Sequence, residues 1–239
     1  AYYLKKQRPG SAKKHLNLID SAGNQPAAQF YYRGVMHLTM GHYSKAKWYF
    51  NKYLFLQQKG RYIKSALLRK KWIAILEGQP YAELDLAIRN RGTNYTFSDR
   101  QAFEEFTTDY NPSLLKVRIC FDGGRHRDAL QVLSTIKPQN LPPERVSEFY
   151  YRKARVYQKL TKHKKALEAF DKLMDTPNTG NYFHKKAMLE RGKILLHTGE
   201  PEAAKKSLKA VKNVNSNMYS KVIEQEAAML LENAESGRE

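Results

Sequence analysis

Residues 150–173 read YYRKARVYQKLTKHKKALEAFDKL, and residues 30–54 read FYYRGVMHLTMGHYSKAKWYFNKYL. Each stretch is two apolar-periodic segments joined by a short break, Leu160 through Lys164 in the first and around Gly41 in the second. Aligned, they share a ladder of positions. A small residue (Gly34, Ala154) lies four after a large one (Phe30, Tyr150). Seven further on comes the break (Gly41, Thr161), five beyond that an alanine (Ala46, Ala166), then Phe50 or Phe170, then Tyr53 or Leu173. Two more stretches fit the same ladder. One runs Ser113, Val117, Gly124, Ala129, Leu133, Ile136; the other runs Met188, Gly192, Gly199, Ala204, Leu208, Val211.

The spacing has a physical meaning. A small residue midway along a first helix lets a second helix approach closely. A glycine ends the first helix with positive φ. The alanine faces back to the first helix, and the apolar residues four and seven later extend a helical stripe. Each unit is a helix–turn–helix hairpin, and searching for such a period comes before any local reading.

This pattern resembles the tetratricopeptide repeat (TPR) family. Tyr150, Ala154, Tyr157, Ala166 and Phe170 fall on its signature positions, as do Phe30, Gly34, Gly41, Tyr43, Ala46 and Phe50. The resemblance implies an all-α fold, a right-handed superhelical array of antiparallel helix hairpins. The order of small residue, Gly, Ala and aromatic favours it over other helical-hairpin repeats. Residues 1–239 are read as one array with repeats at about 1–22, 27–58, 62–90, 111–138, 147–177 and 184–213. In the first, Tyr2–Gln7 ends a helix and Ala12, Leu16 and Ile19 form the stripe of the next. The third is degenerate, with Lys71 at the small position and Glu83 in place of Ala. Ser98-Asp99-Arg100-Gln101 resembles a capping box and starts an extra helix over 98–109. Asn111-Pro112 and Pro142-Pro143-Glu144 read as helix starts. A helix over 216–233 caps the end, followed by a polar tail at 234–239.

Charge narrows the partners. The net charge is +19, and residues 1–80 hold fifteen Lys/Arg against two acids, Asp20 and Glu77. Such a field attracts acidic proteins, nucleic acid or anionic lipid. Hydrophobic residues make up 41%, which supports a continuous core and excludes a disordered chain. One cysteine, Cys120, excludes an internal disulfide and reads as a packing residue. No run of apolar residues is long enough for a membrane span. No signal peptide is visible, though the chain opens on Ala1 rather than Met, consistent with a leader removed before it. The Tyr-, Asn- and Lys-rich style resembles TPR proteins of Bacteroidetes envelopes. That implies a periplasmic or membrane-associated location, with a cytoplasmic one as the alternative.

No catalytic constellation is present. Gly123-Gly124 falls on the repeat turn, so it reads as a helix end and not as a phosphate loop. The seven histidines show no ligand spacing with a carboxylate partner. His42, His126 and His163 recur near one repeat position, which turn geometry explains. The expectation is a non-enzymatic protein without cofactor or metal. In stacked hairpins the first helices line an inner face. Register then names candidate partner-binding residues: Tyr31, Tyr32, Arg69, Trp72, Arg118, Tyr151, Arg152, Arg155 and Lys193. The same register puts Leu38, Leu68, Leu114 and Leu189 in the groove, with Glu190 adjoining. Apolar and aromatic residues with recurrent arginine suit an acidic or amphipathic segment of another protein. The family's carboxylate clamp needs Asn after the small residue. Those positions hold Val35, Arg118, Arg155 and Lys193, so that specificity does not carry over. The alternative partner is nucleic acid, chiefly RNA, on the basic N-terminal third.

Overall fold

A computed structural model describes residues 2–21, 26–177, 182–214 and 219–235. Among these residues the structure is all helix, with no strand. Packing divides the chain into two compact units, Ala1–Val132 and Leu133–Glu239. The first holds α1 (Tyr2–Lys5), α2 (Pro9–Ser21), α3 (Ala27–Thr39), α4 (Tyr43–Leu56), α5 (Ile63–Leu76), α6 (Ala82–Asn90), α7 (Phe97–Glu105) and α8 (Pro112–Asp122). The division falls within α9 (His126–Thr135). The second unit holds α10 (Pro143–Lys159), α11 (His163–Met174), α12 (Tyr182–His197), α13 (Pro201–Ala210) and α14 (Ser220–Glu235).

The ladder of positions works as its chemistry requires. Ala12, Ala46, Ala129, Ala166 and Ala204 are all buried, as are Phe50, Phe170 and Leu208. A Cβ on Gly34 would stand 2.5 Å from Phe50 Cε1, and one on Gly192 would stand 2.6 Å from Leu208 Cγ. Only glycine admits the second helix at that distance. The turn position has positive φ in all four units: Gly41 +83°, Gly124 +72°, Gly199 +80° and Thr161 +56°. In each, the N–H three residues past the helix reaches back five residues. His42 donates to His37 O (2.8 Å), and Arg125 to Cys120 O (2.9 Å). Lys162 donates to Tyr157 O (2.9 Å), and Glu200 to Leu195 O (2.9 Å). This is the Schellman closure that satisfies orphan carbonyls at a helix end. Thr161 adopts it without being glycine, so the tertiary context overrides local preference there.

The degenerate hairpin α5–α6 solves the same problem differently. Helix α5 is buried almost all round, touching α3, α4, α6, α7 and α8. Lys71 occupies the small-residue position and is 2% exposed. Its stem fills space while its ammonium donates to Asp85 Oδ1 (2.6 Å) and to the carbonyl of Phe106 (2.5 Å), just past α7. One face round, Lys64 donates to Ile88 O (2.6 Å) and Arg89 O (3.3 Å), among the last carbonyls of α6. Cations at helix C-termini answer both the unpaired carbonyls and the helix dipole.

Helix α7 starts one residue earlier and ends sooner than expected, at Phe97–Glu105 instead of 98–109. Its cap is Thr96, whose hydroxyl oxygen accepts from the Asp99 N–H (3.0 Å), and not Ser98. The carboxylate of Asp99, fully buried, serves another helix. It accepts from the N–H of Tyr62 (2.6 Å) and of Ser65 (3.1 Å), the first turn of α5. Helix α5 has no acid in its own first turn, so α7 supplies the missing anion from 34 or more residues away.

In the second unit α10 pairs with α11 and α12 with α13, and α14 packs on α12 and α13. Ile223 and Ala227 of α14 close over Leu189, Leu208 and Val211. Lys185 on α12 is buried and donates to Val214 O (3.1 Å) and to Ser220 and Glu224 on the last helix. The helix expected over 216–233 runs Ser220–Glu235. Residues 216–218 and 236–239, like 1 and 22 of the expected first repeat, lie outside the described residues.

Candidate functional site

In the first unit a pocket of about 310 Å³ opens between first helices. Helix α3 contributes Tyr31, Tyr32, Val35, Leu38 and Thr39. Helix α5 contributes Arg69 and Trp72, with Tyr62 at its start; Leu4, Gln7, Ser98, Ile119 and Asp122 complete the wall. Four of the nine expected residues, Tyr31, Tyr32, Arg69 and Trp72, meet here. The residues are together because α3 and α5 occupy equivalent positions in neighbouring hairpins and turn the same face to one space.

The wall is a fixed aromatic cluster. The Tyr31 ring stacks on Tyr62 at 4.5 Å and 10°, and its hydroxyl is 2.9 Å from Ser65 Oγ. Tyr32 donates its hydroxyl to that of Tyr62 (3.0 Å). Tyr62 itself is pinned through its N–H to Asp99. Burial, then the Tyr62 hydroxyl, pushes the Tyr32 phenol well above its ordinary value, so it is a neutral donor throughout the physiological range. Trp72, at 4% exposure, is wall and not a protruding contact. Its ring meets Tyr110 edge-on at 6.1 Å. The guanidinium of Arg69 lies 5.6 Å from the Trp72 ring centre and 5.7 Å from that of Tyr31, a cation–π arrangement that holds it at the pocket.

The other expected cations have internal partners. Arg118 sits over Trp72 at 4.5 Å and grips Glu105 with two bonds of 2.8 and 3.3 Å. Glu105 is buried and also accepts from Gln101 (2.7 Å) and Tyr110 (3.1 Å). Burial pushes its carboxyl up, but the Arg118 charge and these bonds outweigh that and hold it below the usual carboxylate range. In the second unit Arg152 pairs with Glu148 (Nε–Oε1 2.8 Å). Arg155 pairs with Glu190 at 2.8 Å, and Lys193 with Glu190 at 3.3 Å and with Glu226. Burial of Glu190 acts against its charge, yet Arg155, Lys193 and Lys186 keep its carboxyl below the usual range. Tyr151 is half-buried against Phe183 (5.4 Å) and Tyr182 (6.4 Å), and burial raises its phenol. Arg69 differs from all four. It bonds only Ser65, through its carbonyl (3.0 Å) and hydroxyl, and no carboxylate of the described residues pairs with it. Leu38, Leu68, Leu114 and Leu189, expected in the groove, are core residues with 2% exposure or less.

Of the buried acids, register named Glu190 beside the groove and missed Glu105 and Glu148. Glu148 stands four before Arg152 and Glu190 three before Lys193, so helical spacing was a usable signal. Glu105 stands 13 residues from Arg118 on another helix, and nothing local announces it. The recurrent histidines have unrelated partners: His42 faces His37 Nδ1 (3.4 Å), His126 meets Gln7 Oε1 (3.1 Å), and His163 lies against His197 (5.2 Å). No group of three or more metal-ligating side chains occurs among the described residues. Cys120 is 1% exposed and burial raises its thiol. A Cβ on Gly123 would stand 2.2 Å from Thr39 O, and one on Gly124 would stand 2.4 Å from Gln7 O, so that pair is a packing requirement. No helix among the described residues is long and apolar enough to cross a membrane.

Neither the curated proteins nor the solved structures contain a match to this chain. Residues 147–176 match the family model described as tetratricopeptide repeat, over the α10–α11 hairpin that carries Tyr150, Ala154, Ala166 and Phe170. Residues 147–176 therefore carry a tetratricopeptide repeat, and it stands among helical hairpins of the same spacing and the same turn closure.

Proposed function

We propose that the protein is a non-enzymatic scaffold that binds another protein, and that the pocket between α3 and α5 takes an acidic side chain flanked by apolar ones. The TPR is a protein-interaction module, which supports the general role. One observation carries the finer reading. Of the five candidate cations, Arg69 alone pairs with no carboxylate of the described residues, and its guanidinium is held over Tyr31 and Trp72 in a pocket lined mainly by aromatic and aliphatic side chains, with Gln7, Thr39, Ser98 and Asp122 among them. A planar guanidinium with neutral hydrogen-bond partners has capacity left for a carboxylate. The aromatic wall supplies rigid contact area beside it.

The test uses acetylated ten-residue peptides alternating Leu or Phe with Asp or Glu. Emission from Trp72 is read in a Trp48→Phe background. Saturable binding that Arg69→Met weakens about tenfold or more, with Asn/Gln versions of the peptides inert, is the expected result. Equal binding by the amidated peptides, or by Arg69→Met, rules the reading out. Binding of RNA at the basic N-terminal third is the weaker reading. Lys64, Lys71 and Arg33 of that third are buried and bonded to backbone carbonyls within the chain, so they are not available to phosphates.

A further inference from the structure

The outward side of α4 belongs to neither the core nor the pocket. Its inward side buries Ala46, Phe50, Tyr53 and Leu54. The opposite side leaves large apolar groups in water: Trp48 is 57% exposed, Phe55 75% and Leu56 47%. At 3.6 residues per turn, these three and the exposed Lys45 and Lys52 fall within about 100° of one another round the helix. Lys59 and Arg61 continue the basic row just past the helix end and are exposed. No acidic residue occurs anywhere in residues 21–76. Lys47, on the flank, is paired with Glu77 at 2.9 Å. No carboxylate of the described residues pairs with Lys45, Lys52, Lys59 or Arg61.

An exposed row of Trp, Phe and Leu is costly in water unless something covers it. Flanking lysines that pair with no carboxylate of the described residues select an anionic cover. Trp and Phe favour the headgroup boundary of a bilayer, and lysine stems let an ammonium reach the phosphates while their methylenes lie along acyl chains. Aliphatic Leu56 argues against nucleic acid, because stacking on bases needs a π-face. We propose that α4 docks this face flat on an anionic membrane surface, with Trp48, Phe55 and Leu56 entering the interface and Lys45 and Lys52 on the lipid phosphates. The pocket is a separate site, and occupying one does not require the other.

Cosedimentation of the full chain with vesicles tests this. Phosphatidylcholine vesicles are compared with vesicles containing about 30% phosphatidylglycerol at physiological ionic strength. The expected result is binding to the anionic vesicles, with Trp48 emission (the difference from Trp48→Phe) shifting to the blue. Lys45→Gln with Lys52→Gln should weaken binding about 25-fold, about fivefold for each charge, which is the ~1 kcal/mol a basic residue gains beside an anionic leaflet. Trp48→Ser with Phe55→Ser should weaken it about tenfold or more, while Arg69→Met leaves it unchanged. All these side chains are exposed, so circular dichroism and thermal melting should match the parent. No binding to the anionic vesicles overturns the proposal, and so does unchanged binding by the Trp48/Phe55 variant. Tighter binding to mixed-sequence single-stranded RNA than to vesicles, lost in the same variants, would assign the face to nucleic acid and equally overturn it.

Discussion

Replacing Arg118 with methionine keeps an unbranched stem of similar reach and removes one charge. The carboxylate left behind, Glu105, is 7% exposed and retains only Gln101 and Tyr110 as partners. Removing one member of a buried pair costs ~3–5 kcal/mol, and losing the cation over Trp72 adds ~1 kcal/mol. A loss of about 4–6 kcal/mol at pH 7 is a large part of the stability of an ordinary domain. The pH dependence identifies the cause. In the parent, Arg118 holds the folded carboxyl below its ordinary value of 4.5, so the pair's contribution is complete above that value and is lost as pH falls through the folded one. In the variant the Gln101 and Tyr110 bonds still favour the carboxylate, but burial, the largest influence, moves the carboxyl the other way. Its penalty is greatest at neutral pH and shrinks on acidification towards pH 5, as a proton neutralises the stranded group. Adding Glu105→Gln to the variant should recover about 2 kcal/mol at pH 7, because a neutral amide needs no counter-charge. Urea unfolding followed by Trp72 emission in a Trp48→Phe background measures all of this. A parent–variant gap below about 1 kcal/mol at pH 7, or one that stays constant from pH 7 to 5, would refute the reasoning. Charge reversal at Arg118, Arg152 or Arg155 is for the same reason a poor probe of partner binding, since each reversal places an acid beside a buried acid.

Asp99→Ala should cost ~3 kcal/mol, since it strips two charge-assisted bonds from the start of α5; Thr96→Ala, which loses an ordinary cap, should cost ~1 kcal/mol, and thermal melting separates the two. Gly34→Ala forces a methyl group to 2.5 Å from Phe50 and should destabilise by ~1–3 kcal/mol, whereas Gly10→Ala meets open space and should be neutral or gain up to ~1 kcal/mol. The His37 imidazole is pushed down to about 4 by burial, then by His42, Lys45, Arg33 and Lys13; the folded state therefore favours the neutral ring, and stability falls as pH drops from about 6.5 towards 4. His37→Gln should flatten that stretch of a melting-temperature profile against pH, and an unchanged slope would show that the ring is not the group responsible.

The hairpins were legible because each rests on contacts within about 35 residues. Ala46 facing its own first helix and Gly41 closing it are local consequences of helical period and backbone sterics. Even Thr161, which lacks the glycine's freedom, was placed correctly by position. What escaped was every partner supplied from elsewhere. Arg118 has the same register as Arg155, and both read as groove cations. Their answering acids arrive from α7 and α12, and no spacing rule predicts them. Trp72 was expected on the inner face and does line the pocket, but as wall, because α5 is enclosed on nearly every side. Lys71 marked the third repeat as degenerate; that an ammonium could replace tight helix contact by reaching a carbonyl beyond α7 needed the fold to be seen.

The buried carboxylate of Asp99 has a consequence for time as well as for energy. The amides of Tyr62 and Ser65 are held by the side chain of Asp99 on α7, so they exchange with solvent deuterium only when those bonds open, which ties fraying at the start of α5 to the seating of α7. Residues 91–111 look in sequence like an optional insertion between repeats. They anchor the first turn of the helix that carries Arg69 and Trp72 and give Ser98 to the pocket wall, so shortening that segment should cut the time the pocket stays assembled as well as change its wall.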